Sequence, residues 1–224
     1  MKTRFLNIRK LRFKLLAGLM LVSSMAVNSF AQTNIANYTL SQSTSTYTPI
    51  TGGTVFIAAN TPFDQEISAA ITIPAFNFGG TAITSMYIAA NGYITFGGTP
   101  AAANYTPLST TGTGITGVIS GLAADLGYGT GNGTTGATSE IRHELVGTEY
   151  VVQYTDVKRW NSTNERISFQ IRLNTANGQI KIVYGGPIVI GSSTSSLQIG
   201  LRGNSTAYAS NVNSLMIGNV PAST

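Results

Sequence analysis

Ser85-Met86-Tyr87-Ile88-Ala89-Ala90-Asn91-Gly92-Tyr93-Ile94-Thr95-Phe96-Gly97-Gly98 is the stretch whose reading decides the fold. Two β-prone runs flank an Asn-Gly pair, and those residues tolerate the positive φ that a two-residue type I′ hairpin turn demands. Pairing Ala90 with Tyr93 places Ala89 opposite Ile94 and Tyr87 opposite Phe96 on one side of the ribbon, with Ile88 and Thr95 on the other. Both sides then carry packing groups. Such a ribbon belongs between layers of a sheet-on-sheet protein, not alone in water.

The rest of the chain agrees. Ile167, Phe169, Ile171 and Leu173 alternate with polar residues, and Ile180, Ile182 and Tyr184 do so after Asn177-Gly178. A two-residue turn there sets Leu173 opposite Ile182 and Ile171 opposite Tyr184, so both apolar sets share a face. Residues 140–146 and 149–157 read as a hairpin around Gly147-Thr148, with Tyr150, Val152 and Tyr154 on one face. Further strands are expected over residues 54–58, 67–73 (stopping at Pro74), 197–201 and 215–217, with a short first one at Tyr38-Thr39-Leu40. No helical periodicity is sustained anywhere after the N-terminal segment. The reading is all-β: a two-sheet antiparallel β-sandwich, jelly-roll-like, of about ten strands. Its parts are a polar segment 32–53, a sandwich domain 54–218 and a polar tail 219–224, with rim loops at 99–113, 125–138 and 158–165.

Charge looks at first like a nucleic-acid signal, since thirteen Lys and Arg outnumber eight Asp and Glu for a formal +5. Six of those cations (Lys2, Arg4, Arg9, Lys10, Arg12, Lys14) precede the apolar run 15–27, and Asn28-Ser29-Phe30-Ala31 follows it. A basic start, an apolar middle and small residues before a cut after Ala31 make residues 1–31 a secretory signal peptide. The apolar run is too short and wrongly flanked for an ordinary membrane span, and the fit of the cut site argues against an uncleaved anchor. Removing it leaves seven cations against eight acids, which takes away the electrostatic footprint of a nucleic-acid binder. With no Cys, the domain has neither disulfides nor a lipid-modified cysteine and must rely on core burial, which about 190 residues can supply. The expected product is secreted or cell-surface, with no membrane span after cleavage.

Several landmarks resemble a known module. Ile88-Ala89-Ala90-Asn91-Gly92-Tyr93-Ile94-Thr95-Phe96-Gly97 is similar to the I-S-S-N-G-Y-I-T-F-G ribbon of a β-sandwich module in secreted surface proteins of the Bacteroidetes, itself distantly like the nidogen extracellular domain. Tyr150 to Val157, Phe169-Gln170-Ile171-Arg172-Leu173, Ile180-Lys181-Ile182-Val183-Tyr184-Gly185 and Leu197-Gln198-Ile199-Gly200-Leu201-Arg202-Gly203 match its later strands in order. The resemblance covers residues 36–203, but Leu122-Ala123-Ala124-Asp125-Leu126 lacks the module's bulky Phe-Trp pair. It implies a surface or adhesion role with no active site. Proteins carrying the module often continue into fibronectin-type domains and a sorting domain for type IX export.

Candidate chemistry is sparse. The lone His143 sits mid-strand and reads as a surface histidine, and one His without Cys leaves no zinc set. Gly131, Gly133 and Gly136 satisfy G-x-G-x-x-G outside any βαβ unit, which makes them a flexible loop and no nucleotide cradle. Asp125 beside that loop is a calcium candidate, though no D-x-[DN]-x-[DN]-G spacing accompanies it. Glu140 and Glu144 share a strand face, as a glycosidase pair could, yet such acids are more often a solvated surface. The candidate ligand surface is Trp160 with Lys158, Arg159 and Asn161: an aromatic face for sugar C–H groups, with cations and an amide for hydroxyls. The simpler reading, in which Trp160 plugs the end of the sandwich, is preferred. The expectation is therefore a non-enzymatic exported module for adhesion or display, without cofactor, whose partners are glycans or matrix and surface components. A carbohydrate-binding module centred on Trp160 is the alternative, and a hydrolase a distant third.

Overall fold

The computed structural model describes residue 35 and residues 38–101, 104–110, 115–128, 138–160, 162, 165–189, 197–203 and 212–218. The signal peptide and the C-terminal tail expected from the sequence lie outside these residues. Twelve strands stand among the described residues: β1 Thr54–Ile57, β2 Ile71–Phe78, β3 Thr81–Ala89, β4 Tyr93–Thr95, β5 Val118–Ala123, β6 Leu126–Tyr128, β7 Glu140–Val146, β8 Glu149–Arg159, β9 Arg166–Asn174, β10 Ile180–Val189, β11 Leu197–Arg202 and β12 Val212–Gly218. They form two six-stranded antiparallel sheets. The first runs β1-β7-β8-β9-β10 with β6 also on β8, and the second runs β12-β11-β5-β4-β3-β2. The all-β sandwich read from the alternation is the fold observed.

The two inner faces share one core. Ile141, Val152, Tyr154, Phe169, Ile171 and Leu173 from the first sheet meet Met86, Ile88, Ile94, Ile119 and Leu201 from the second. The layers come closest where β9 crosses β5: a methyl group on Gly121 would lie 2.5 Å from Phe169 Cε2 and 3.0 Å from Ile171 Cγ1. Polar bolts cross the same core. The Tyr154 hydroxyl is shared between the carbonyls of Ala89 (2.8 Å) and Tyr93 (3.1 Å), and the Tyr184 hydroxyl donates to Gly121 O at 2.5 Å. The Tyr154 ring stacks on Phe169 with centroids 4.5 Å apart.

The central ribbon differs from its expected register by one residue. Ala89 pairs with Tyr93, Ile88 with Ile94 and Tyr87 with Thr95, so Ala90, Asn91 and Gly92 form a three-residue loop. Only Gly92 has positive φ (87°), and its N–H closes the turn on Ala89 O at 3.1 Å, as in a type I turn followed by a left-handed glycine. Because sidedness alternates, the one-residue slip exchanges the faces: Ile88, Ile94 and Phe96 point inward, and Ala89 and Tyr93 outward. Both faces are nonetheless apolar and covered, as the sequence required. The second Asn-Gly turn also differs. Leu173 pairs with Ile180 and Ile171 with Ile182, a slip of two that leaves the core face unchanged. Strand β2 continues through Pro74 instead of ending there; it is an edge strand whose ladder breaks between Thr72 and Phe76, which accommodates a residue without N–H.

Irregular chain also covers part of the outer face of each sheet. No strand forms at Tyr38-Thr39-Leu40. Tyr38 instead packs on Phe78, the Tyr47 ring rests on Gly185, and residues 47–51 cross the outside of the first sheet. Gln153 accepts from Ile50 N at 2.9 Å and donates to Ile50 O at 3.2 Å, while Gln170 donates to Thr48 O at 2.8 Å. On the second sheet, part of the expected surface loop 99–113 is a lid. Leu108 is fully buried against Ala89, Tyr93, Ile115, Val118 and Ala123. Its N–H donates to Gln198 Oε1 at 2.7 Å, and buried Arg202 reaches Pro107 O at 3.0 Å and Thr110 O at 2.9 Å.

Candidate functional site

The loop between β8 and β9 is where the candidate residues fall. Strand β8 first bulges at Asp156, whose φ of 53° is left-handed, and its ladder to β9 shifts between Tyr154 and Val157. The bulge lets β8 change neighbour, from β7 up to Thr155 to β6 from Val157 onward. Asp156 is held there by Arg166, whose Nε donates to Oδ1 at 2.5 Å, and by the Thr138 hydroxyl. Ser168 Oγ accepts from Asp156 N at 2.9 Å.

Past the bulge, the two cations expected to face a ligand turn inward. Arg159 is 1% exposed and its guanidinium clasps fully buried Glu165, with Nε–Oε1 2.8 Å and Nη2–Oε2 2.7 Å. The same carboxylate accepts from Arg159 N at 3.1 Å. Lys158 is 3% exposed and donates to Ser162 O at 3.2 Å, and desolvation pulls its ammonium pKa below the ordinary lysine range. Lys158 and Arg159, which the sequence offered as part of a ligand surface, are buried and tie the base of the loop. Buried charges need partners, and here the loop closure supplies them.

Trp160 departs from the preferred reading in the other direction. It is 41% exposed. Its N–H donates to Asp125 O at 2.6 Å, and its indole lies over β6, with Cε3 3.7 Å from where a Gly127 methyl would stand. The Phe63 and Tyr128 rings flank the same strand, with centroids 6.5 Å apart. An exposed indole is thus seated on a rigid base formed by the β6–β8 pairing and the Arg159–Glu165 clasp. Asn161, the fourth candidate, lies outside the described residues, as do Gly131, Asn132, Gly133 and Gly136.

The other candidates are dispersed. Asp125 stands beside Trp160, and its carboxyl pKa is pushed up by desolvation and then by the charge of Asp64. Among the described residues there is no group of three or more His, Cys, Asp or Glu that could hold a metal ion. His143 is half-buried, with Nδ1 2.7 Å from the Tyr150 hydroxyl, and burial lowers its pKa. Glu140 is ion-paired by Arg142 (Nη2–Oε2 2.8 Å), the residue midway between Glu140 and Glu144. Each of the seven cations after residue 31 is either ion-paired, as Arg142, Arg159, Arg166, Arg172 and Lys181 are, or buried, as Lys158 and Arg202 are. No free basic patch exists among the described residues to meet a phosphate backbone.

The family model described as NIDO related matches residues 37–222. No curated protein and no solved structure matches the chain. Among the described residues, no helix is long and apolar enough to cross a membrane.

Proposed function

We infer, from the premise that this chain belongs to the NIDO-related family, that it is an exported, non-catalytic extracellular module whose work is adhesion or display. The observation that carries the reading is the double cover. Residues 47–51 and 104–110 lie across part of the two outer faces, which leaves rims, loops and the uncovered strands to meet the surroundings. That design suits a spacer or presenting module better than an enzyme, which needs convergent acid, base or nucleophile in a cleft. The basic start, apolar run and Ala31 cut site support export, and the resemblance to Bacteroidetes surface modules supports a type IX cargo. Fractionation of cells making the tagged full chain tests this. The reading expects protein outside the inner membrane with its N-terminus at Gln32, and cytoplasmic retention with residues 1–31 intact refutes it.

A second reading is favoured by one specific observation: the exposed indole of Trp160 on its clasped base. We propose it as a platform for a neutral sugar, whose C–H face stacks on the indole while Asp125 accepts from hydroxyls. With Lys158 and Arg159 withdrawn, anionic glycans find no counter-charge there. Glycan-array binding that disappears in Trp160→Ala with the fold intact supports the platform; binding that survives the substitution removes it.

A further inference from the structure

Residues 47–51 leave a shallow groove of about 460 Å3 against the outer face of β7, β8 and β9. Tyr47 and Ile50 form one wall, Gln153, Thr155 and Ser168 the floor, and the Glu140–Arg142 pair one end. The pair cancels its own charge, and Arg142 Nη1 is further occupied by Gly52 O at 2.9 Å. Gln153 is immobilised by Ile50, Thr155 and Gln170, the last at 2.8 Å, so the floor is rigid. Ser168 Oγ accepts from Asp156 N and has no acceptor for its own proton among the described residues. Burial pushes the Tyr47 phenol up to about 12, against a smaller opposing effect of its hydrogen bond with Thr155, so that wall stays neutral in ordinary conditions.

The groove therefore combines an aromatic ring with the hydroxyls of Tyr47, Thr155 and Ser168 and carries no uncompensated charge, while the Gln153 amide, its donors and acceptors all engaged, fixes the floor. Groups of that kind match a molecule that alternates hydroxyls with C–H faces. Its volume lies in the range of about 300–1,000 Å3 usual for small-ligand sites. We propose that this groove is a binding site for a neutral pyranose sugar, separate from the Trp160 rim and independent of any role of that rim.

The test is amide-shift mapping by NMR on the purified full chain. The probes are methyl glucoside, methyl mannoside, methyl galactoside and N-acetylglucosamine at millimolar concentration, with glucuronate and glucosamine as charged counterparts. At least one neutral probe is expected to shift the amides of residues 47–51, Gln153, Thr155 and Ser168 and to saturate. Its affinity should fall about tenfold or more in Tyr47→Leu and stay unchanged in Trp160→Ala. Thr155→Val, which keeps the volume and removes the hydroxyl, replaces Tyr47→Leu if that variant does not fold. The proposal is overturned if no neutral probe moves those amides, if the response vanishes in Trp160→Ala, or if a charged counterpart binds as well as the neutral sugars.

Discussion

Replacing Gly92 by Ala tests the claim that the Asn91-Gly92 loop is docked and not merely a turn. Gly92 has φ of 87°, and a methyl group there would stand 2.8 Å from Leu122 C and 2.9 Å from Leu126 Cδ1, with Leu122 O nearer still. Its own carbonyl accepts from Gly121 N and Leu122 N, both at 3.2 Å, while Asn91 Oδ1 accepts from Leu126 N at 3.0 Å. The left-handed backbone costs a residue with Cβ about 1–2 kcal/mol. Forcing the methyl against a packed backbone adds about 1–3 kcal/mol. The sum is about 2–5 kcal/mol, a large part of the ~5–15 kcal/mol that keeps a typical domain folded. Gly147→Ala is the internal control, because Gly147 has φ of 60° but nothing within 4 Å of its added methyl. Urea unfolding of both variants, read as the midpoint shift at constant slope, separates conformational cost from docking cost. If Gly92→Ala costs no more than Gly147→Ala, the docked-loop account is wrong.

Four further outcomes follow from the same geometry. Glu165→Leu takes the buried carboxylate away from the Arg159 guanidinium and should cost about 3–5 kcal/mol in chemical unfolding, whereas Arg159→Met with Glu165→Leu should recover most of that. Tyr154→Phe removes the bolt to Ala89 O and Tyr93 O and should cost about 1–2 kcal/mol, read from the same urea curves. Leu108→Ala opens a cavity under the lid on the second sheet and should cost about 2–5 kcal/mol; a surface loop would lose almost nothing. His143, held by burial below its ordinary pKa, binds its proton less readily folded than unfolded. Its contribution to stability is therefore present above the unfolded value of about 6.5 and lost as pH falls through the folded value. Thermal melts from neutral to mildly acidic pH should show that decline, and His143→Phe should flatten it.

The alternation of Ile167, Phe169, Ile171 and Leu173 was enough to specify the sandwich, because burial acts on every second residue whatever the loop beyond does. Register was legible only modulo the turn. An Asn-Gly pair is compatible with both a two-residue and a three-residue loop, and at Ala90-Asn91-Gly92 the docking of Gly92 O on Gly121 and Leu122 selects the longer one. At Asn177-Gly178 the slip of two is invisible to a face-based argument, since parity survives it. The candidate site was half legible. Nothing local decides whether a single Trp in a polar turn stands out or tucks in, and nothing local announces that Arg159 and Lys158 fold inward, because their partners, Glu165 and the Ser162 carbonyl, become neighbours only when the loop closes.

The covers were hidden for a related reason, and they bear on what the molecule can do. Gln153, Gln170, Gln198 and Arg202 occupy the polar positions of alternating strands, which an amphipathic pattern assigns to water, yet all four are buried. The amide of Gln153 receives Ile50 N–H and donates back to Ile50 C=O, the two bonds that a peptide group in a neighbouring strand would have made. Gln198 does the corresponding service for residues 108 and 109, accepting from Leu108 N and donating to Ser109 Oγ at 2.5 Å. An irregular segment can thus lie across a sheet without leaving its backbone unpaired, because a side-chain amide supplies the missing partner. Beneath the two covering segments, the polar half of the alternation is therefore a second interior layer. Two places beside the covers stand out for recognition: the rim where Trp160 stands and the groove beside residues 47–51.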